Sequence, residues 1–184
     1  METTNPSSIP EIECYTFELF ENSKNIPPLW KEEDKIDATY VLHLEGNGRY
    51  EQVVEQLQQI RPTNTIWIYK NKGFKNCNKP KNVDTPPKDI THSVVTIFKH
   101  ANENKYRNIF ILEDDFLFDA RLTDPNNEDT KEISNFIHNY KENVPLMYYV
   151  GSLPIIQFPI NSSHNIVFIS GGIHAVIYNR AYRD

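Results

Sequence analysis

From Ala38 onward, short apolar runs of strand length alternate with segments whose apolar positions recur at helical spacing. Ala38–Leu44 reads as a buried strand, broken by Gly46-Asn-Gly48. Tyr50, Val53, Val54, Leu57 and Ile60 then fall on one helical face, Pro62 lies beyond the helix end, and Thr65–Tyr69 is a second strand. The polar segment 70–87 reads as a long loop. Thr85-Pro86-Pro87 leads into a helix carrying Ile90, Val94, Ile97, Phe98 and Ala101 on one face, ending near Asn104. A strand begins at Asn108, and a polar loop with Pro125 follows over 119–128. A third helix starts near Asp129, placed to cap it with Glu132 in a capping box, and buries Ile133, Phe136, Ile137 and Tyr140. Leu146–Val150, Ile166–Ile169 and Ile173–Tyr178 read as further strands, with Gly171-Gly172 as a turn or a point of close approach. Residues 1–36 form a proline-punctuated, partly irregular extension, in which Tyr15, Phe17 and Leu19 alternate like an edge strand. The β-α-β order predicts an α/β domain over 37–184, a three-layer sandwich of nucleotide-binding type around a mostly parallel sheet.

The chemistry concentrates at one point. The run Asn108-Ile-Phe-Ile-Leu ends in three adjacent carboxylates, Glu113, Asp114 and Asp115. A buried strand cannot carry acids through a core, so they belong at its carboxyl end, where open α/β sheets bind ligands. Their mutual repulsion is relieved by a cation, and oxygen ligands suit Mg²⁺ or Mn²⁺. A solvated acidic turn is the plain alternative.

Composition narrows the partners. A net charge of −6 with no basic stripe argues against nucleic-acid binding. Lys70, Lys72, Lys75, Lys79 and Lys81 lie in the polar loop and read as a solvated face rather than a phosphate-binding flap. Cys14 and Cys77 show no paired spacing of a disulfide framework or zinc site, which suits a reduced, cytoplasmic setting. The amino terminus lacks the basic start and apolar core of a signal peptide, no apolar run is long enough to span a bilayer, and Asn161-Ser-Ser163 reads as a loop.

With its elements placed, the chain resembles glycosyltransferase family 25, which includes bacterial lipooligosaccharide and collagen hydroxylysine galactosyltransferases. Four matches carry the resemblance over residues 38–184: Tyr40-Val-Leu-His-Leu44 followed by Arg49, Ile90-Thr-His-Ser93, Phe110-Ile-Leu-Glu-Asp-Asp115, and Gly171-Gly-Ile-His-Ala-Val-Ile-Tyr178 running on to Ala181. His43 stands where the family has Asn, Thr91 where it has Ser, and Val176 where Tyr is common. The resemblance implies a GT-A-like fold and transfer of a hexose, galactose or glucose, from a UDP-sugar to a glycan or protein acceptor. It implies Mn²⁺ or Mg²⁺ at Asp115, with Glu113 and His174 as further ligands. It places the nucleotide-sugar against His43, Leu44, Arg49, Asp114 and Glu113. His92, Gly171 and Gly172 are acceptor-side or structural candidates.

Each of these residues has a structural alternative. Arg49 also reads as an exposed helix-start residue, Asp114 as a turn cap, His92 as a packing residue and His174 as a satisfied buried histidine. Neither the catalytic base nor the stereochemistry is legible. The chain stops at Asp184, just inside an expected helix where such transferases continue, so a truncated or non-catalytic binding or scaffold form is the alternative function. A phosphate-loop hydrolase is disfavoured, since Gly46-Asn-Gly48 lacks the lysine of that motif.

Overall fold

The computed structural model of the chain describes residues 13–21, 26–124 and 127–184. Residues 1–12 of the extension and Pro125 lie outside the described residues. The elements run β1 (Tyr15–Leu19), β2 (Ile36–Leu44), α1 (Tyr50–Gln59), β3 (Thr65–Asn71), α2 (Pro86–Glu103), β4 (Asn108–Glu113), α3 (Asp129–Asn139), β5 (Met147–Pro159), β6 (Asn165–Asn179) and α4 (Arg180–Arg183).

One six-stranded sheet has the order β1-β3-β2-β4-β6-β5. Only β2 pairs in parallel, with β3 on one side and β4 on the other; the outer pairings are antiparallel. The sheet is therefore mixed rather than mostly parallel. The late strands come back as a hairpin, whose short connection can join antiparallel strands but not parallel ones. Helices cover both faces. Val53 and Leu57 of α1 and Ile137 of α3 pack with Val41, Ile66, Ile68, Phe110 and Leu112 on one side. Ile97 and Ala101 of α2 pack with Tyr40, Leu42, Tyr69, Ile109 and Ile111 on the other. The alternation of Tyr40, Val41 and Leu42 between these two cores is the period of a strand buried on both faces.

Three local expectations shift. Ile90 is exposed, and α2 instead buries Asp89, Ser93 and Thr96 toward the sheet beside Ile97. Asp129 is the first residue of α3 rather than its cap; its N–H donates to the Asn127 side chain at 2.7 Å. Residues 166–178 form one strand without a turn at Gly171-Gly172, because β5 extends to Pro159 and pairs along the whole length through successive register shifts. Pro154 and Pro159 are tolerated since β5 is an edge strand with no neighbour awaiting their missing N–H.

The extension is tied in by sequence-distant contacts. β1 pairs with β3, as its alternation predicts, and Trp30 is buried in the core. Cys14 and Cys77 form a disulfide, overturning the reading of two unpaired cysteines. Their separation of 63 residues carries no local spacing signal; the β1–β3 pairing brings them together. Lys79 is likewise no solvated residue. Its side chain is 1% exposed, ion-paired with Asp89 and bonded to Asn71 Oδ1 at 2.7 Å. Lys70 pairs with Glu18 and lies over the Tyr50 ring. No helix among the described residues is long and apolar enough to cross a membrane.

Candidate metal and nucleotide site

The connection from β2 through α1 reaches β3 on one side of β2, and the connection through α2 returns to β4 on the other. The carboxyl ends of β2 and β4 therefore flank a topological switch point, where open α/β sheets form ligand crevices. The three acids emerge there.

Their fates differ. Asp114 is 6% exposed and fully committed to the protein. Its Oδ2 accepts from Leu44 N–H at 3.0 Å and Asn47 Nδ2 at 2.6 Å and lies 2.9 Å from His43 Nδ1, while Oδ1 accepts from Arg49 Nη1 at 3.1 Å. Burial pushes its pKa up, but the donors Asn47, Leu44, Arg49 and His43 outweigh burial and hold it below the ordinary carboxylate value. Asp114 thus fastens the β2–α1 loop while also lining the cleft described below. The same network holds His43, which lines neither of the two clefts described below. His43 is buried, engaged with Asp114 and packed beside Tyr50. Gly46 and Gly48, at φ of 80° and 78°, give the loop the left-handed turns it needs to fold back over Asp114.

Glu113 and Asp115 point elsewhere, and His174 joins them. The antiparallel register of β4 and β6 pairs Leu112 with Ala175, so the next position sets Glu113 level with His174. His174 Nδ1 lies 3.9 Å from Glu113 Oε2 and 3.8 Å from Asp115 Oδ1, and one ligand atom of each residue lies within 4.8 Å of the others. These separations exceed hydrogen bonds but suit ligands of one ion, which stand roughly 3–4 Å apart at a ligand distance of about 2.1 Å. The side chains of Glu113, Asp115 and His174 are 33%, 39% and 44% exposed. Burial raises the Glu113 pKa; His174 opposes this, and the neighbouring Asp115 and Asp114 charges add to it. A cation would relieve that uncompensated charge, and two carboxylates with one imidazole are a donor set that Mn²⁺ accepts. Among the described residues this is the one such cluster of acids and histidines.

Two clefts flank the cluster. One, of about 400 Å³, opens over Leu44, Asn47, Arg49, Lys72, Phe74 and Glu113. Arg49 stands at its edge, half exposed, 3.1 Å from Asp114 and 3.4 Å from Asp115. Leu44 lines this cleft with its side chain. The far wall is the loop after β3, which the sequence pattern did not assign to the site. It is held by Asp89, which accepts from Phe74 N–H at 2.9 Å and pairs with Lys79, and by Asn71, which accepts from Gly73 N–H at 2.9 Å. The second cleft, of about 500 Å³, lies on the α3 side of Asp115 and His174.

Asn47 was also missed, though its place between two glycines after a buried strand marks a turn with a side-chain donor. His92 is not brought to the cluster. It sits on α2, lines neither cleft, and its Nδ1 has no partner. Gly171 and Gly172 lie within β6, in a stretch whose side-chain surroundings are outside the described part.

No protein-family model matches the chain, and no curated protein matches it significantly.

Proposed function

We propose that this chain is a GT-A-type, divalent-metal-dependent hexosyltransferase of the family 25 kind, taking galactose or glucose from a UDP-sugar to a hydroxyl on a glycan or protein. The observation that carries the reading is the meeting of Glu113, Asp115 and His174, from two different strands, at a switch-point crevice with Arg49 beside it. The four sequence matches to the family and the two-sided β2–β3–β4 crossover support it.

In this reading Glu113, Asp115 and His174 hold Mn²⁺ or Mg²⁺, and Leu44, Asn47 and Arg49 line the nucleotide cleft. The bound cation supplies Lewis-acid neutralisation of the departing diphosphate. Arg49 presents a guanidinium to phosphate oxygens, and Asp114 fixes its approach. Burial of one edge of the cluster strengthens both interactions relative to water. The disulfide favours an oxidising compartment over the reduced setting suggested by the cysteine count.

Calorimetry with UDP, UDP-galactose and UDP-glucose, with and without Mn²⁺, tests the proposal. Wild type is expected to bind only with metal, and Asp115→Asn and His174→Gln to lose at least about tenfold. Equal, metal-independent signals from all three proteins would remove the site. Metal-dependent binding with neither transfer nor donor hydrolysis would leave a binding protein on a transferase frame, the alternative named above.

A further inference from the structure

We propose that the second cleft is an acceptor subsite for a neutral, hydroxyl-bearing molecule with a flat apolar group. The word acceptor rests on the transferase reading; the preference for an uncharged, flat apolar ligand does not. The volume of about 500 Å³ is that of a small-molecule site. Trp30, Phe110 and Phe116 form its buried floor, and the partly exposed Phe118, Leu122 and Ile133 present apolar surface above them. The aromatic edges are already organised, with Trp30 and Phe110 edge to face at 5.2 Å and Phe116 and Phe118 at 4.9 Å. The partly exposed Phe118 ring offers a flat apolar surface that favours a ring over a flexible chain.

Polar groups are confined to particular places. Asp115 and His174 stand where the cleft meets the metal cluster, so a hydroxyl on the bound ring points at the reacting end of the site. Beside His174 the wall is low, since Ala175 and its cross-strand partner Gly151 are small. A Cβ at Gly151 would come within 3.2 Å of the Ala175 methyl. Charge sets the class further. Asp115, Asp119 and Asp129 line the cleft, and no lysine or arginine does. Asp119 is held by Arg121, which lies outside the lining, and Asp115 shares Arg49 with Asp114. A phosphate or carboxylate would meet acids with no cation of the cleft to receive it, whereas a neutral ring with a hydroxyl pays no such penalty. The first cleft differs in carrying cations, with Arg49, Lys72 and Lys75 beside Glu45, Asp89, Glu113 and Asp114, so an anionic group finds a partner there and not in the second cleft.

The test is calorimetry on the whole chain, without metal or nucleotide, using phenyl β-glucoside, methyl β-glucoside and phenyl phosphate. Phenyl glucoside is expected to bind at least tenfold tighter than the other two. Leu122→Trp, which fills the cleft from an exposed turn, should abolish that binding and leave Mn²⁺-dependent UDP binding unchanged. Leu117→Arg, at the exposed rim, should raise affinity for phenyl phosphate severalfold. Equal binding of the phenyl and methyl glucosides, or unaltered phenyl binding by a folded Leu122→Trp, overturns the subsite. Phenyl preference that persists while UDP binding fails supports the cleft's ligand class and removes the transferase reading instead.

Discussion

Adjacent carboxylates with opposite surroundings are the main lesson at the residue scale. Asp114 is buried with four protein partners, whereas Asp115 is 39% exposed beside one arginine and one histidine. Asp114→Ala leaves the buried His43 and the Leu44 N–H, Asn47 and Arg49 without their common acceptor. It is expected to lower unfolding free energy by about 2–4 kcal/mol, read from urea denaturation. Asp115→Asn should change it by no more than about 0.5 kcal/mol while removing Mn²⁺ binding. If the two variants exchanged these behaviours, Asp114 would be the ligand and Asp115 the fastener.

Among elements, α2 is joined to the sheet through a titrating group. His100 stacks on Phe17 of β1 with ring centroids 3.9 Å apart, and its Nδ1 lies 2.8 Å from the Tyr40 hydroxyl of β2. Burial holds the Tyr40 pKa far above its ordinary value, so the phenol donates and the imidazole must accept in its neutral form. Burial also lowers the His100 pKa below 6.5, with Glu103 opposing. The unfolded chain then binds more protons in that range, so stability is fully present above pH 6.5 and is lost as pH falls through the folded value. Acidification from pH 7 to pH 5 should therefore destabilise wild type by roughly 1 kcal/mol more than His100→Gln, the scale of one hydrogen bond. Thermal melts of the two proteins across that range check it, and parallel curves would place the pH dependence elsewhere, with His92 the next histidine lowered by burial.

Two features act on the molecule as a whole. The disulfide fixes the start of β1 to the loop that walls the first cleft. Closing so long a loop is worth about 2–4 kcal/mol by restricting the unfolded chain. Cys77→Ser is expected to lose that much in urea and, by freeing the loop, to weaken UDP binding; unchanged stability under reducing and oxidising conditions would deny the bond a role. The outer halves of β5 and β6 behave differently. No Lys, Arg, Asp or Glu occurs from Asn143 to Asn179, and Ile155, Phe158 and Phe168 are 66%, 57% and 67% exposed. Such an arm contributes little to the core but offers an edge strand for unwanted pairing. Phe168→Ser should shift stability by under about 0.5 kcal/mol and raise the concentration at which the protein precipitates, as light scattering would show.

Much of this was legible in the chain itself. Apolar runs of strand length located β2 to β4, alternation located β1, and period-3.6 spacing located the three long helices. The incompatibility of carboxylates with a buried strand placed Glu113 to Asp115 at a strand end, and Pro86-Pro87 marked the start of α2. These are local properties, set by which side chains must leave water within a few residues. What the folded chain decided is which distant residues meet. The β4–β6 register carried His174, named from the sequence, to the acids and left His92 aside. The return of the β2–α1 loop consumed Asp114 and His43, the β1–β3 pairing joined Cys14 to Cys77, and the burial of Asp89 drew Lys79 out of solvent. An alternating pattern tells which face of a strand is buried but not its partner or its offset, and a slip of one residue in β6 would turn His174 to the opposite face of the sheet.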